Sequence, residues 1–191
     1  MCLRQYKQAL WRGQVNDFSL QGLQGRDMNE LTIGVMGTGR IGLQVLKNLS
    51  GFGCRLLAYD VYKNPEVEKL ATYVDQDTIY KECDVISLHM PLFDSTYHII
   101  NHETIAKMKD GVVILNYARD LLVDEDAVLA ALKAGKMKKY VTDFANPKVV
   151  GAEGTIVTPH LGASTKESED NCAVMAVKEI RDFLENGNIR N

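Results

Sequence analysis

The stretch from Leu31 to Gly42 constrains the fold of this chain more than any other. Apolar, β-favouring residues come first, and glycines follow at Gly37, Gly39 and Gly42. Apolar residues then recur at helical spacing, so the pattern predicts a strand, a tight turn and a helix. In such a unit the first glycine permits the turn and the second lets a pyrophosphate approach the backbone. The third lets the helix lie close to the strand.

A second predicted strand, Arg55 to Tyr59, ends in Asp60, which lies 18 residues after Gly42. A carboxylate at this position accepts hydrogen bonds from an adenosine ribose and repels a 2′-phosphate. The residues therefore favour NAD over NADP. The alternative is a glycine-rich turn followed by a surface aspartate at a strand end.

Further along the chain, strands alternate with helices. We predict the remaining strands at Tyr73–Val74, Asp84–Leu88, Val112–Leu115, Lys139–Thr142 and Thr155–Val157. This alternation is typical of an α/β fold with a doubly wound parallel sheet, a three-layer α/β/α Rossmann fold. We expect residues 1–29 to form an N-terminal helix and linker, and residues 30–191 to form the nucleotide-binding domain. Ser164 is expected to cap a long final helix that runs to Asn186.

Polar residues follow the predicted strands. Because the carboxyl ends of parallel strands form the ligand crevice, these residues point to catalysis at one sheet edge. Arg119 ends a buried strand and could bind a substrate carboxylate, the alternative being a salt bridge to Asp120 or Asp124. His160 could act as a general acid, the alternative being a loop histidine hydrogen-bonded to backbone.

Two further strand ends carry candidate groups. Asp143 could accept a hydrogen bond from a nicotinamide carboxamide, or it could cap a helix or a turn. His89 could be the acid in place of His160, but its neighbour Pro91 suggests a loop at the wall of a cofactor site.

Composition narrows the class of protein. The 191 residues are 46% apolar and 25% charged, with a formal net charge of −3, which gives no reason to expect nucleic acid or an anionic membrane as partner. The four cysteines are scattered without CxxC spacing, which argues against a metal site or a disulfide scaffold. With no secretory signal visible, we expect a cytoplasmic protein.

The motifs together resemble the D-isomer-specific 2-hydroxyacid dehydrogenases, and the resemblance covers nearly the whole chain. It rests on Gly37–Gly42, Asp60, His89–Pro91, Asn116–Arg119 with Leu122–Asp124, Asp143 and Pro159–Gly162. It implies that Arg119 holds the carboxylate of a small 2-hydroxy or 2-keto acid and that His160 is the acid/base. It implies a cofactor site for NAD in which Arg40 and Ile41 contact the pyrophosphate, Asp60 the ribose and Asp143 the nicotinamide. The other cofactor-binding residues it implies are Met90, Pro91, Thr96, Tyr117, Ala118 and Gly162.

The sequence departs from the family pattern at three points. The family usually has a glutamate that holds the histidine, and the aligned position here is Asn146, so either Asn146 or Glu153 would take that role. Asp120 stands where a glycine is usual and could pair with Arg119. We expect the family's flavodoxin-like substrate domain to be missing from these residues, and we therefore expect this chain to bind NADH with little activity.

The same resemblance leaves a second function open, a non-catalytic NAD(H)-sensing module like the family's transcriptional co-repressors. Residues 1–109 look more like D-lactate or 2-hydroxyisocaproate dehydrogenases, and the later residues look more like some D-3-phosphoglycerate dehydrogenases. Family members commonly dimerise through this domain, so a homodimer is expected.

Overall fold

A computed structural model describes residues 25–189. The N-terminal helix expected at the start of the chain falls on residues 1–12, which lie outside the described residues. The seven strands are β1 (Thr32–Met36), β2 (Arg55–Tyr59), β3 (Thr72–Tyr73), β4 (Val85–Leu88), β5 (Val112–Asn116), β6 (Met137–Thr142) and β7 (Thr155–Val157). The α-helices are α1 (Arg40–Leu49), α2 (Pro65–Glu68), α3 (Gln76–Glu82), α4 (His102–Lys107), α5 (Glu125–Lys133) and α6 (Lys166–Asn186).

All seven strands are parallel and form one sheet in the order β3-β2-β1-β4-β5-β6-β7. The order reverses between β1 and β4, which is the switch point where ligands bind in open α/β sheets. The predicted doubly wound sheet is confirmed. Predicted strand bounds differ from the observed ones by one or two residues at β3, β4, β5 and β6.

Apolar residues on both faces of the sheet build two separate cores. Ile33 and Val35 of β1 belong to one core with Leu46 of α1, whereas Met36 and Leu57 belong to the other. Neighbouring strand residues point to opposite faces, so the central strands must be apolar on both sides. This packing produces the three α/β/α layers.

Capping side chains mark the start of most helices. Asn64 and Asp75 cap α2 and α3, and Asp124 caps α5 through Asp126 N and Ala127 N. The prediction that Ser164 caps the final helix was wrong by one residue. Thr165 is the N-cap of α6, and its side chain accepts a hydrogen bond from Ser168 N. Thr165 and Ser164 offer the same hydroxyl chemistry, so the sequence alone did not separate them.

The long helix α6 has no buried residue in the described structure. Its apolar side chains Val177, Ile180 and Leu184 recur at helical spacing and are 65%, 60% and 76% exposed. Among residues 25–189, no helix has both the length and the low charge that crossing a membrane requires.

The turn after β1 leaves no room for side chains at two of its glycines. Gly37 has φ +94°, and a Cβ on it would lie 2.5 Å from the backbone carbon of His89. A Cβ on Gly42 would lie only 1.9 Å from the Gly37 carbonyl oxygen. Both are main-chain atoms in the middle of the sheet–helix junction, so neither contact relaxes by a side-chain rotation.

Gly42→Ala is therefore expected to lower the free energy of unfolding by about 1–3 kcal/mol, because the added methyl pushes α1 away from the turn. Gly51→Ala is the matched control, since a Cβ there meets no atom within 4 Å. Urea denaturation of both variants measures the difference. Equal denaturation midpoints would contradict this account of the turn.

Candidate active site

The turn after β1 is tied to the end of β2 by a carboxylate. The Asp60 Oδ2 atom accepts hydrogen bonds from Thr38 N at 2.6 Å and from Thr38 Oγ1 at 3.1 Å. Thr38 is buried, and its hydroxyl also contacts the Tyr73 hydroxyl at 2.7 Å. Asp60 Oδ1 accepts from Tyr62 N at 3.2 Å. These bonds fix the position of the turn after β1 relative to the end of β2.

A cavity of about 450 Å³ opens beside this turn, at the switch point of the sheet. The turn and Asp60 form one wall, and the loop after β4 forms the other. Of the residues predicted to bind a cofactor, Gly37, Gly39, Asp60, Met90, Pro91 and Thr96 line it. The turn and the β4 loop are thus brought together as the sequence predicted.

The first turn of α1 borders the same cavity through Gly39, its N-cap. A Cβ on Gly39 would meet nothing within 4 Å, so the space beside it is open. Arg40 and Ile41 follow as exposed first-turn residues, and Ile41 is 68% exposed. The first N–H groups of a helix have no partner within the helix and carry its positive dipole end, which suits a phosphate.

The loop after β4 is held by its own polar contacts. Thr96 Oγ1 donates to the Pro91 carbonyl at 2.8 Å and accepts from Phe93 N at 2.8 Å. His89 lies between this loop and the sheet, with its Nε2 atom 2.8 Å from Ser87 Oγ. Burial lowers the pKa of His89 to about 4, so its imidazole is neutral near pH 7. A neutral imidazole that is already hydrogen-bonded to Ser87 is suited to lining the cavity. It is poorly suited to the role of a general acid, which must carry a proton.

Residues after β5 form a second part of the sheet edge. Asn116 is fully buried, and its Nδ2 atom donates to the Arg119 carbonyl at 2.9 Å while its Oδ1 atom accepts from Ala118 N at 3.2 Å. These bonds shape the turn that presents Arg119. The guanidinium is exposed and donates to the Ala118 carbonyl at 2.6 Å.

The alternative salt bridges of Arg119 are not formed, since no carboxylate among residues 25–189 lies within 4 Å of it. Asp120 instead accepts a hydrogen bond from Leu121 N, and Asp124 caps α5. The guanidinium is thus available to an external carboxylate, which it can bind through two parallel hydrogen bonds.

The ends of β6 and β7 bring Asp143 and His160 into contact. His160 Nδ1 lies 3.0 Å from Asp143 Oδ2, and the centroids of the His160 and Phe144 rings are 5.3 Å apart. Asp143 is 8% exposed, whereas the His160 side chain is 62% exposed. The partner of the histidine is therefore a carboxylate and not the backbone.

Tyr117 links the end of β5 to this pair. Burial raises the pKa of Tyr117, and the negative charge of Asp143 raises it further, while a hydrogen bond with Thr158 acts in the opposite direction. Tyr117 is still 42% exposed, so its ring is available at the edge of the crevice. Gly162 lies in the exposed loop that follows His160.

Comparison with known proteins agrees with this geometry. Residues 1–162 match the profile of the D-isomer specific 2-hydroxyacid dehydrogenase, NAD binding domain. The chain belongs to this family.

Its relatives are enzymes of longer chain. It is 37% identical to an aromatic 2-oxoacid reductase of Clostridium sporogenes, over 96% of this chain and 62% of that protein. It is 38% identical to a hydroxypyruvate reductase of Thermotoga maritima, over 94% of this chain and 61% of that protein. The chain thus spans about three fifths of the length of these relatives.

Solved structures of the family superpose closely. The NAD complex of a D-isomer specific 2-hydroxyacid dehydrogenase from Lactobacillus delbrueckii ssp. bulgaricus gives a TM-score of 0.86 at 28% identity, covering 98% of this chain and 63% of that chain. A D-lactate dehydrogenase from Aquifex aeolicus complexed with NAD and lactic acid gives 0.82 at 32% identity, covering 96% and 61%. The expected cofactor of this dehydrogenase domain, NAD, is confirmed by the family match and these complexes.

Neither residue expected to replace the family's glutamate contacts the histidine. Asn146 Nδ2 donates to Glu125 Oε1 at 2.7 Å, and its Oδ1 accepts from Lys148 N at 2.9 Å. Glu153 precedes β7 and lines a separate cavity of about 600 Å³. His160 follows the same strand, so the two residues lie at opposite ends of it.

Sequence analysis missed several residues of the cofactor-side cavity. The lining residues that were missed are Tyr59, Val61, Tyr62, Gln76, Phe93 and Ser95. Apart from Gln76, these residues lie close in sequence to Asp60 or Pro91, which was the available signal. Thr38, which lies inside the glycine motif and ties the turn to Asp60, was also missed. Within the described residues, no group of three or more metal-binding side chains is found.

The half-buried His89 makes stability depend on pH. Its pKa is about 4 in the folded protein against 6.5 for a free histidine, so the unfolded chain binds more protons between these values. The stability that His89 provides by staying neutral is fully present above pH 6.5 and is lost as the pH falls toward 4. The loss amounts to about 3 kcal/mol.

His89→Gln is therefore expected to reduce the decline of unfolding free energy between about pH 7 and pH 4.5, because no imidazole remains to be charged on unfolding. His102→Gln, at the exposed first position of α4, serves as the control and should keep the wild-type slope. Urea denaturation at a series of pH values gives both slopes. A His89→Gln slope equal to that of wild type would contradict the burial of a neutral imidazole.

Proposed function

We propose that this chain is the cofactor domain of an NAD-dependent oxidoreductase that interconverts 2-keto acids and D-2-hydroxy acids. The observation that carries the proposal is the cavity between the glycine turn and the β4 loop, with Asp60 at one end. Arg119 and the Asp143–His160 pair lie along the same sheet edge. Residues 30–191 would form this domain, with residues 1–29 as its N-terminal extension.

The residues present suit NAD. Glycine is required at positions 37 and 42 by backbone contacts, and the open space at Gly39 allows a pyrophosphate to approach. Gly39, Arg40 and Ile41 would meet the pyrophosphate, and Asp60 would accept from the adenosine ribose. Met90, Pro91 and Thr96 would cover one side of the cofactor, and Tyr117, Ala118 and Gly162 would border its nicotinamide end.

One buried atom points to the carboxamide end of the cofactor. Asp143 Oδ1 is buried and finds no hydrogen-bond donor among residues 25–189. A buried acceptor without a donor costs about 1–3 kcal/mol. An amide N–H of a bound nicotinamide would satisfy it.

The chemistry follows from the groups at the edge. Bound NADH supplies the hydride that reduces the C2 carbon of the keto acid. Arg119 would hold the substrate carboxylate, which orients the keto carbon. Protonated His160 would donate its proton to the keto oxygen as C2 becomes tetrahedral, and the reverse reaction returns that proton to His160.

A titration of the chain with NADH and NADPH, followed by nucleotide fluorescence, tests the cofactor site. NADH is expected to bind at least about tenfold more tightly, because Asp60 repels the 2′-phosphate. Asp60→Asn should reduce this preference. Gly39→Ala should weaken NADH binding by about tenfold or more, because its methyl group occupies the space left for the pyrophosphate.

Gly51→Ala is the control for the titration and should bind NADH as the wild type does. Equal affinity for the two nucleotides would contradict the role of Asp60. Unchanged NADH binding by Gly39→Ala would contradict the placement of the pyrophosphate.

A second copy of the chain is the proposed protein partner. The stripe formed by Val177, Ile180 and Leu184 on α6 leaves apolar surface that association would cover. Sedimentation velocity tests this, and a monomer at micromolar concentration would contradict it.

A further inference from the structure

We propose that Asp143 is the positioning residue that orients the imidazole of His160, a role that the family pattern places at the position of Asn146. This inference rests on the proposed function, because His160 acts as acid/base only in that reaction. The Asp143 Oδ2 to His160 Nδ1 distance of 3.0 Å carries it.

The positions of the two residues make this contact a property of the fold. Asp143 directly follows β6, and His160 lies three residues after β7. These strands pair in parallel with Thr142 opposite Val157, and Thr158 N donates to the Thr142 carbonyl at 3.0 Å. The backbone register therefore carries the two side chains to the same edge. Because Asp143 is 8% exposed, its carboxylate is held in place while the histidine lies at the surface.

Asn146 is committed to other contacts. Its amide nitrogen donates to Glu125, and its amide oxygen accepts from Lys148 N and Val149 N. Both ends of the amide thus stabilise the loop after β6 and its contact with α5. Among residues 25–189, none of the hydrogen bonds of this amide goes to His160.

The geometry assigns separate tasks to the two ring nitrogens of His160. Since a carboxylate only accepts, Nδ1 must donate to Asp143, and the neutral ring then carries its proton on Nδ1. Nε2 is left as the nitrogen that exchanges a proton with substrate. The Phe144 ring lies beside the imidazole, with the two ring centroids 5.3 Å apart.

Asp143 would also serve both reaction partners at once. Oδ2 contacts the imidazole of His160. The buried Oδ1 accepts no hydrogen bond within residues 25–189 and can therefore accept one from the cofactor. One carboxylate would thus fix the nicotinamide amide and the proton donor relative to each other. This arrangement explains how the chain keeps an acid/base histidine although an amide stands at position 146.

Long-range ¹H–¹⁵N NMR of the 191-residue chain reads the tautomer of His160 directly. At about pH 9, where a histidine side chain is neutral, the wild type is expected to show Nδ1 protonated and Nε2 unprotonated. Loss of this histidine's signals in His160→Gln gives the assignment. A wild-type spectrum with the proton on Nε2 would overturn the proposal without any further variant.

Asp143→Asn keeps the shape of the side chain but can donate as well as accept, so a mixture of both tautomers is expected. Asp143→Ala should lose the Nδ1–H preference as well. Asn146→Ala and Glu153→Gln are the matched controls and should keep the wild-type tautomer. Retention of the Nδ1–H tautomer in both Asp143 variants, or its loss in Asn146→Ala, would refute the assignment.

The NADH titration separates this proposal from the function on which it rests. Failure of NADH binding together with the expected tautomers would overturn the proposed function and leave the Asp143–His160 contact intact. NADH binding together with the wrong tautomer would overturn the positioning role alone.

Discussion

The close approach of α1 to the turn after β1 is the constraint on which the rest of this structure depends. The Gly37 carbonyl lies against Gly42, which keeps the start of α1 close to the turn, and Gly39 lines the cavity with open space beside it. Asp60 holds the same turn from the neighbouring strand through two bonds to Thr38. One carboxylate thus serves the fold before any ligand is bound.

The candidate functional groups lie along one edge of the sheet, each after the end of a strand. The glycine turn and Asp60 follow β1 and β2, the cavity wall follows β4, and Arg119 follows β5. Asp143 and His160 follow β6 and β7. A parallel sheet delivers all of these groups to one side because every strand ends there. The exposed guanidinium and imidazole are free to meet a substrate, whereas the buried Asp143 and Asn116 keep them in place.

Much of the fold and of the candidate site was predictable because it depends on local sequence pattern. The glycine spacing and the alternation of strands with helices predicted the parallel sheet. The polar residues after the strands predicted which edge of the sheet carries the functional groups. The Asp143–His160 contact was not predictable in the same way. It depends on how β6 and β7 align and on a buried carboxylate close to Asn146, the position that family resemblance pointed to. The bond from Thr38 to Asp60 was missed for a related reason, since threonine in a turn carries no signal of its own.

Single-turnover reduction of a 2-keto acid tests the central claim most directly. The chain is held in excess over NADH, a series of 2-keto acids is added, and loss of NADH fluorescence and the chirality of the product are measured. The account predicts slow oxidation of bound NADH that requires the keto acid, yields the D-2-hydroxy acid, and slows by about a hundredfold or more in Arg119→Ala and His160→Ala. No oxidation, oxidation independent of the keto acid, or equal rates in these variants would contradict it.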